Sequence, residues 1–162
     1  MRKITTIFTL IAIVAVGVFL FTNMQVVINA PIVRGVAEQN NVSPSLILAM
    51  IKVESNYKAD AVSHKGAIGM MQLMPDTSAW ISEKTGIANN PYDAFSNIQM
   101  GAWYMGQYLL PKYNGNVERA LAAYNAGEGN VAGWADGEIR FAETQNYVKR
   151  VKWWKQVYDF FL

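Results

Sequence analysis

Glu54 is the residue in this chain best placed to do chemistry. It ends the run Leu46-Ile47-Leu48-Ala49-Met50-Ile51-Lys52-Val53-Glu54. Ile47, Met50 and Glu54 stand at i, i+3 and i+7, one face of a helix. A carboxyl on an apolar face is costly when ionised, so its pKa should rise. A carboxyl that holds its proton near neutrality can act as a general acid. The alternative is a helix-end Glu solvated at a cleft edge, or paired with Lys52 or Lys58, since most Glu side chains lie at the surface. The nearby acids Asp60 and Asp76 fall in a loop and in the first turn of a helix, where solvation and capping account for them. His64, the single histidine, sits on a loop without a companion at metal-ligand spacing, so no metal site is expected.

The elements that must position Glu54 are all helical. Ser43-Pro44 reads as a helix start, with Ser43 as the side-chain cap and Pro44 at the first helical position. Before it, a helix is expected from Pro31 to about Asn41, with Ile32, Val33, Val36 and Ala37 on one face. Residues 56–69 read as a loop, with Gly66 and Gly69 allowing close turns. Pro75 opens a helix through Trp80 and Ile81 that Gly86 ends. A longer helix is expected from about Phe95 to Tyr113, with Ile98, Ala102, Met105, Tyr108 and Leu109 as its apolar stripe. Asn116 caps the next, Val117 to Ala126, which stops at Gly127. The last runs from about Glu143 and packs through Tyr147, Val148, Val151, Trp154, Val157 and Tyr158. No strand-like alternation of useful length occurs, so the fold class is all-α.

The chain of 162 residues suits one domain with a single core. Residues 7–21 are apolar throughout, and Arg2 and Lys3 precede them, the charged-then-apolar order of an export signal. Two outcomes are open for residues 1–30: a signal peptide cut after Ala30, or an uncleaved anchor in which residues 4–21 span the membrane. Residues 31–162 form the globular part. The chain has no cysteine, which excludes disulfides, thiol chemistry and a lipidated N-terminal cysteine. Of 14 Lys and Arg, Arg2 and Lys3 belong to the leader, which holds no acid; the remaining twelve balance the 12 Asp and Glu. A neutral domain lacks the basic footprint of a nucleic-acid binder.

The segments after Glu54 carry a resemblance. Glu54-Ser55-Asn56-Tyr57 and Ala61-Val62-Ser63-His64-Lys65-Gly66-Ala67-Ile68-Gly69-Met70-Met71-Gln72-Leu73-Met74-Pro75 are followed by Asn90-Pro91-Tyr92-Asp93 and Asn97-Ile98-Gln99-Met100-Gly101. Ala123-Tyr124-Asn125-Ala126-Gly127 and Glu143-Thr144-Gln145-Asn146-Tyr147-Val148 come next. In this order and spacing, over roughly residues 35–160, the chain resembles the soluble lytic transglycosylase (SLT) domain family, goose-type-lysozyme-like enzymes that cleave peptidoglycan glycan strands.

The resemblance implies a lysozyme-like fold and a single catalytic acid, Glu54. It acts first as acid and then as base while the 6-hydroxyl of N-acetylmuramic acid attacks its own anomeric carbon. The product is a 1,6-anhydro sugar, and neither metal nor organic cofactor is required. Ser63, Gln72, Tyr124 and Glu143 match family positions along the substrate cleft. Their readings from chemistry alone are a loop hydroxyl, a polar residue before a helix, an aromatic core residue and a helix-start acid. Asn125 is expected to stabilise the turn before Gly127. Met70, Met71 and Met74 could floor the cleft or fill the core.

Three positions depart from the family pattern: Ala59 stands where proline is common, Met70 where leucine is common, and Glu128 where proline usually follows the Asn-Ala-Gly turn. The expected partners are peptidoglycan glycan strands, with a secretion, conjugation or phage apparatus as the system served and the membrane reached through the N-terminal segment. Alternatives are a hydrolytic, lysozyme-type muramidase and a non-catalytic glycan-binding component of a secretion apparatus.

Overall fold

The computed structural model describes residues 24–162 and, before them, 6, 9–10, 13–14 and 16–18, which are helical. The apolar run of residues 4–21 therefore lies largely outside the described residues. Among the described residues no helix is long and apolar enough to cross a membrane.

Helices α1 (Met24–Gln39), α2 (Pro44–Glu54) and α3 (Pro75–Thr85) come first. Helix α4 (Ala94–Trp103) runs on through a π-helical stretch (Tyr104–Leu109) into α5 (Leu110–Lys112). Then follow α6 (Val117–Ala126), α7 (Glu128–Ala132) and α8 (Ala142–Phe161). No strand forms among the described residues. Isolated bridges join Val62 to Ile68 and Ile68 to Leu73 inside the loop after α2.

Helix α2 is the axis of the domain. Its residues 46–51 are all buried, apolar on every side as a central helix must be. The Ser43 hydroxyl accepts from the Leu46 N–H, and Pro44 occupies the first turn. Helices α8 and α1 pack on α2, and α6 packs on α8. The α2–α8 seam is held by polar bonds at its ends. Tyr57 donates to the Leu48 carbonyl (3.0 Å) and shares a hydrogen bond with Tyr158 (3.2 Å), while Ser45 donates to Asp159. Helix α3 ends at Gly86 in the left-handed region, φ 75°, and Asn116 caps α6 by accepting from the Arg119 N–H.

Two expectations are corrected. The helix placed from Pro31 begins at Met24 and carries Pro31 inside it. An interior proline costs a backbone bond and a clash with the carbonyl four residues before it, and the packing of the buried face outweighs that cost here. The buried face, Val26, Asn29, Val33, Val36 and Ala37, has helical spacing on both sides of Pro31. Ile32 falls off that face and is exposed. Helix α1 thus crosses residue 30, the boundary expected between leader and domain. The long fourth helix is interrupted by the π-helical stretch, a wide turn that local sequence does not announce.

Candidate functional site

Helix α2 delivers Glu54 at its last residue, where the negative end of the helix dipole disfavours a carboxylate. The side chain keeps part of its surface open to a cleft of about 510 Å³, lined among others by Lys52, Asn56, Ser63, Gln72, Arg150 and Trp154. Its carboxyl is nonetheless desolvated, and burial pushes its pKa up to about 7 against smaller opposing effects from Tyr147 and the Arg150 charge. Neither Lys52 nor Lys58 pairs with it, and no other carboxyl lines this cleft among the described residues.

Opposite Glu54 stands one face of α8. Tyr147, Arg150 and Trp154 follow at i, i+3 and i+7, and Lys52 lies 5.0 Å from the Trp154 ring centre. The buried Tyr147 hydroxyl meets no partner at ordinary hydrogen-bond geometry, yet lies close enough to Glu54 to hold that carboxyl's pKa down. Burial and the Glu54 charge raise the tyrosine's own pKa. It is poised to donate to Glu54 once that carboxyl ionises. Reading α8 only for core packing missed Arg150 and the chemical side of Tyr147; their spacing was the available signal.

The loop after α2 forms the wall beside Glu54, and its residues 70–72 are pinned individually. The Ser55 hydroxyl donates to the Met70 carbonyl (2.8 Å). The Met71 N–H donates to Asn97 (2.7 Å), and the Met71 carbonyl accepts from Tyr124 (2.7 Å). Gln72, at φ 48°, turns its amide nitrogen back onto the Ala61 and Gly69 carbonyls (3.1 and 2.9 Å). Asn97 is fully buried and also donates to the Ile68 and Pro91 carbonyls, both at 3.0 Å. Gly69, at φ 83°, leaves room for it, since a Cβ there would strike the Asn97 side chain. Asn97 was legible only as part of a helix motif; its bonds span residues far apart in sequence.

Ser63 and Gln72 line the same cleft as Glu54. The Ser63 oxygen accepts from the Lys65 and Ala67 N–H groups and shapes its own turn, leaving its proton free to point elsewhere. Tyr124 touches the same wall from behind. Its hydroxyl is committed to Met71, so it positions the loop, and any contact of its own with a ligand would use the ring or the remaining oxygen lone pair. Glu143 does not line the cleft. It is exposed in the first turn of α8 and pairs with Lys65 at 3.4 Å, a surface pair worth little. Asn125 accepts from Thr144 (2.8 Å) and ties α6 to α8 instead of closing the turn at Gly127. Met70 and Met71 belong to the core, whereas Met74 is exposed.

The pinned wall makes a prediction. Tyr124→Phe should lower stability by about 1 to 2 kcal/mol, because the buried Met71 carbonyl loses its donor. It should also lower kcat about tenfold while KM changes less, as the wall shifts against Glu54. Thermal unfolding with steady-state kinetics checks both. Unchanged stability would mean that the hydroxyl serves something other than Met71.

Residues 31–147 match the Transglycosylase SLT domain family. A membrane-bound lytic murein transglycosylase C from Actinobacillus pleuropneumoniae is 35% identical over 113 residues, 62% of this chain and 31% of the relative. The soluble lytic murein transglycosylase of Escherichia coli strain K12 is 31% identical over 135 residues, 73% of this chain and 21% of its own. Among solved structures, an inactive Glu-to-Gln variant of the lytic transglycosylase Slt from Pseudomonas aeruginosa superposes with TM-score 0.72. It is 34% identical and covers 78% of this chain and 23% of that one. The 70 kDa soluble lytic transglycosylase from Escherichia coli gives TM-score 0.75 at 28% identity, covering 81% and 24%. This chain thus spans less than a third of each of these relatives.

Proposed function

The chain belongs to the transglycosylase SLT domain family, and on that premise we propose that it cleaves the β-1,4 bond between N-acetylmuramic acid and N-acetylglucosamine in peptidoglycan. The observation that carries this reading is one desolvated carboxyl, Glu54, standing alone among acids in its cleft. In the proposed sequence Glu54 gives its proton to the glycosidic oxygen as the bond to the muramic anomeric carbon breaks. Tyr147 and Arg150 favour the carboxylate that forms. The muramic 6-hydroxyl then attacks the anomeric carbon and returns its proton to Glu54, closing a 1,6-anhydro ring. The tether supplies the effective concentration that a free water lacks, and no second carboxylate is needed to activate water. The inactive Glu-to-Gln form of the Pseudomonas relative supports a Glu in this role.

The test is the product. Muropeptides released from purified sacculi should carry 1,6-anhydromuramic ends, lighter by one water than hydrolytic ends, with no oxygen taken from heavy-oxygen water. Mass spectrometry decides. Reducing muramic ends labelled from solvent would make the protein a hydrolytic muramidase; no release at all would favour a glycan-binding component of a larger apparatus.

Placement belongs to the same reading. The domain works at the outer side of the cytoplasmic membrane, held there by an uncleaved segment of residues 4–21. Helix α1 supports this, because a cut after Ala30 would sever it and detach the buried Val26 and Asn29. The protein should therefore stay with membranes through alkaline extraction. A soluble form beginning near Pro31 would refute the anchor.

A further inference from the structure

Helix α1 is apolar on the side it turns away from the core as well as on the side it buries. Met24, Ile28, Pro31 and Ile32 lie on its outward face and are exposed, opposite the buried Val26, Asn29, Val33, Val36 and Ala37. Gly35, Glu38 and Gln39 continue that face, so it is apolar over its first turns and polar over its last. A helix stretch that is apolar all round is one that something covers on every side. The domain covers only one. The apolar run of residues 4–21 ends just before Met24, so the apolar part of the outward face is the part nearest that run. The last turn of α8 lies against the same helix: Arg34 donates to the Leu162 carbonyl (3.5 Å), and Phe160, two residues earlier, is 83% exposed.

We infer that the outward face of α1, together with Phe160, is a docking surface for the phospholipid bilayer, on which α1 leans so that Ile28 and Ile32 enter the headgroup layer. The inference rests on the anchor proposed above for residues 4–21 and adds a second contact, made by the domain itself. A change from apolar to polar along one face is what a gradient of depth requires, since apolar side chains gain from lipid only where they reach it. Phenylalanine is among the side chains that interfacial helices insert. An upright α1 would carry Ile32 about 12 Å beyond Met24, past an interfacial layer of roughly 5 to 8 Å per leaflet. A leaning one keeps Met24, Ile28 and Ile32 within it. A protein partner fits less well. A stable protein interface takes about 20 residues a side, far more than a strip of one helix and the end of another offer. Lipid needs no such area, because the anchor already holds the face at high local concentration.

The chain has no cysteine, so single cysteines can be introduced and labelled with bimane one at a time. The full chain is reconstituted into vesicles of phosphatidylethanolamine and phosphatidylglycerol that carry a nitroxide quencher either at the headgroup or in mid-chain. Leu10→Cys reports on the anchor, and Ile28→Cys, Ile32→Cys and Phe160→Cys report on the surface. Gln39→Cys lies on the same face of α1 at its polar end. All five side chains are exposed, so the labels leave the core alone. Headgroup quenching at Ile28, Ile32 and Phe160 should exceed that at Gln39 by at least about threefold, and mid-chain quenching should be strongest at Leu10. Quenching at Ile32 and Phe160 no greater than at Gln39, with Leu10 still quenched, would overturn the docking surface and leave the anchor standing. The same result with a disulfide formed between two Ile32→Cys chains would overturn it in favour of a second copy. A Leu10 label that lipid does not quench would remove the anchor and this surface with it.

Discussion

Glu54→Gln should reduce bond cleavage by on the order of 10³-fold or more while leaving the fold intact. The exchange preserves volume and hydrogen bonding and removes the transferable proton. It should also stabilise the protein, in a pH-dependent way. Burial holds the Glu54 pKa at about 7 in the folded chain, against roughly 4.3 for an unperturbed Glu in the unfolded one. Between these values the folded state binds a proton that the unfolded state lacks. Stability contributed by the protonated carboxyl is thus complete below the unfolded pKa and is lost as pH rises through about 7. The variant and the parent should melt together near the lower limit. Above the upper one the variant should be more stable by on the order of 2 kcal/mol, since the group keeps some contact with solvent. The same titration should bring kcat/KM of the parent down tenfold per pH unit on the alkaline side. Melting curves and cleavage assays across this window decide. Substantial residual cleavage would move the acid role to another residue, and a variant that gains no stability above neutrality would mean that the carboxyl is solvated.

Asn97→Ala should be strongly destabilising while leaving Glu54 untouched. The side chain is fully buried and serves three backbone groups, at Met71, Ile68 and Pro91. Removing it strands the Met71 N–H and the Pro91 carbonyl, each costing about 1 to 3 kcal/mol, while the Ile68 carbonyl keeps its bond from the Leu73 N–H (3.0 Å). A combined loss of about 4 kcal/mol is a large share of a domain's usual stability. Asn97→Asp keeps the acceptor for the Met71 N–H, loses both donors and buries a charge, so it should be no better. Denaturant unfolding measures the loss. A cost below about 1 kcal/mol would show that water or a shifted loop replaces Asn97 easily.

What the sequence made legible was local. Ser43-Pro44, Gly86 and Asn116 mark helix ends because capping needs only neighbouring residues. Glu54 was legible because one helical face joins it to Ile47 and Met50. What escaped depends on distant partners. Nothing near Asn97 says that a loop nearly thirty residues earlier will fold over it. Tyr124 matches a cleft position, but nothing local says that its hydroxyl bonds the Met71 carbonyl 53 residues away. Arg150 and Trp154 lie on a helix whose apolar stripe conceals a second, chemical stripe. Glu143 satisfied a motif, but its position in the first turn of α8 gave it a lysine instead of the cleft. The helix expected from Pro31 starts seven residues earlier, because the apolar face that packs on the core continues through Asn29 and Val26.

Helix α1 also sets a leash. Only Thr22 and Asn23 separate the apolar run from Met24, and two residues of extended chain reach at most about 7 Å. Helix α1 itself has 16 residues, about 24 Å of rigid rise, and its buried face is already part of the core. Under the proposed anchor, the domain would therefore have little slack with which to search the wall. A longer, glycine-rich tether would let the same cleft sweep a wide area. If residues 4–21 anchor the chain as proposed, this one would confine cutting to glycan strands within a single short radius of the anchor, and the site of anchoring would decide where the wall is opened.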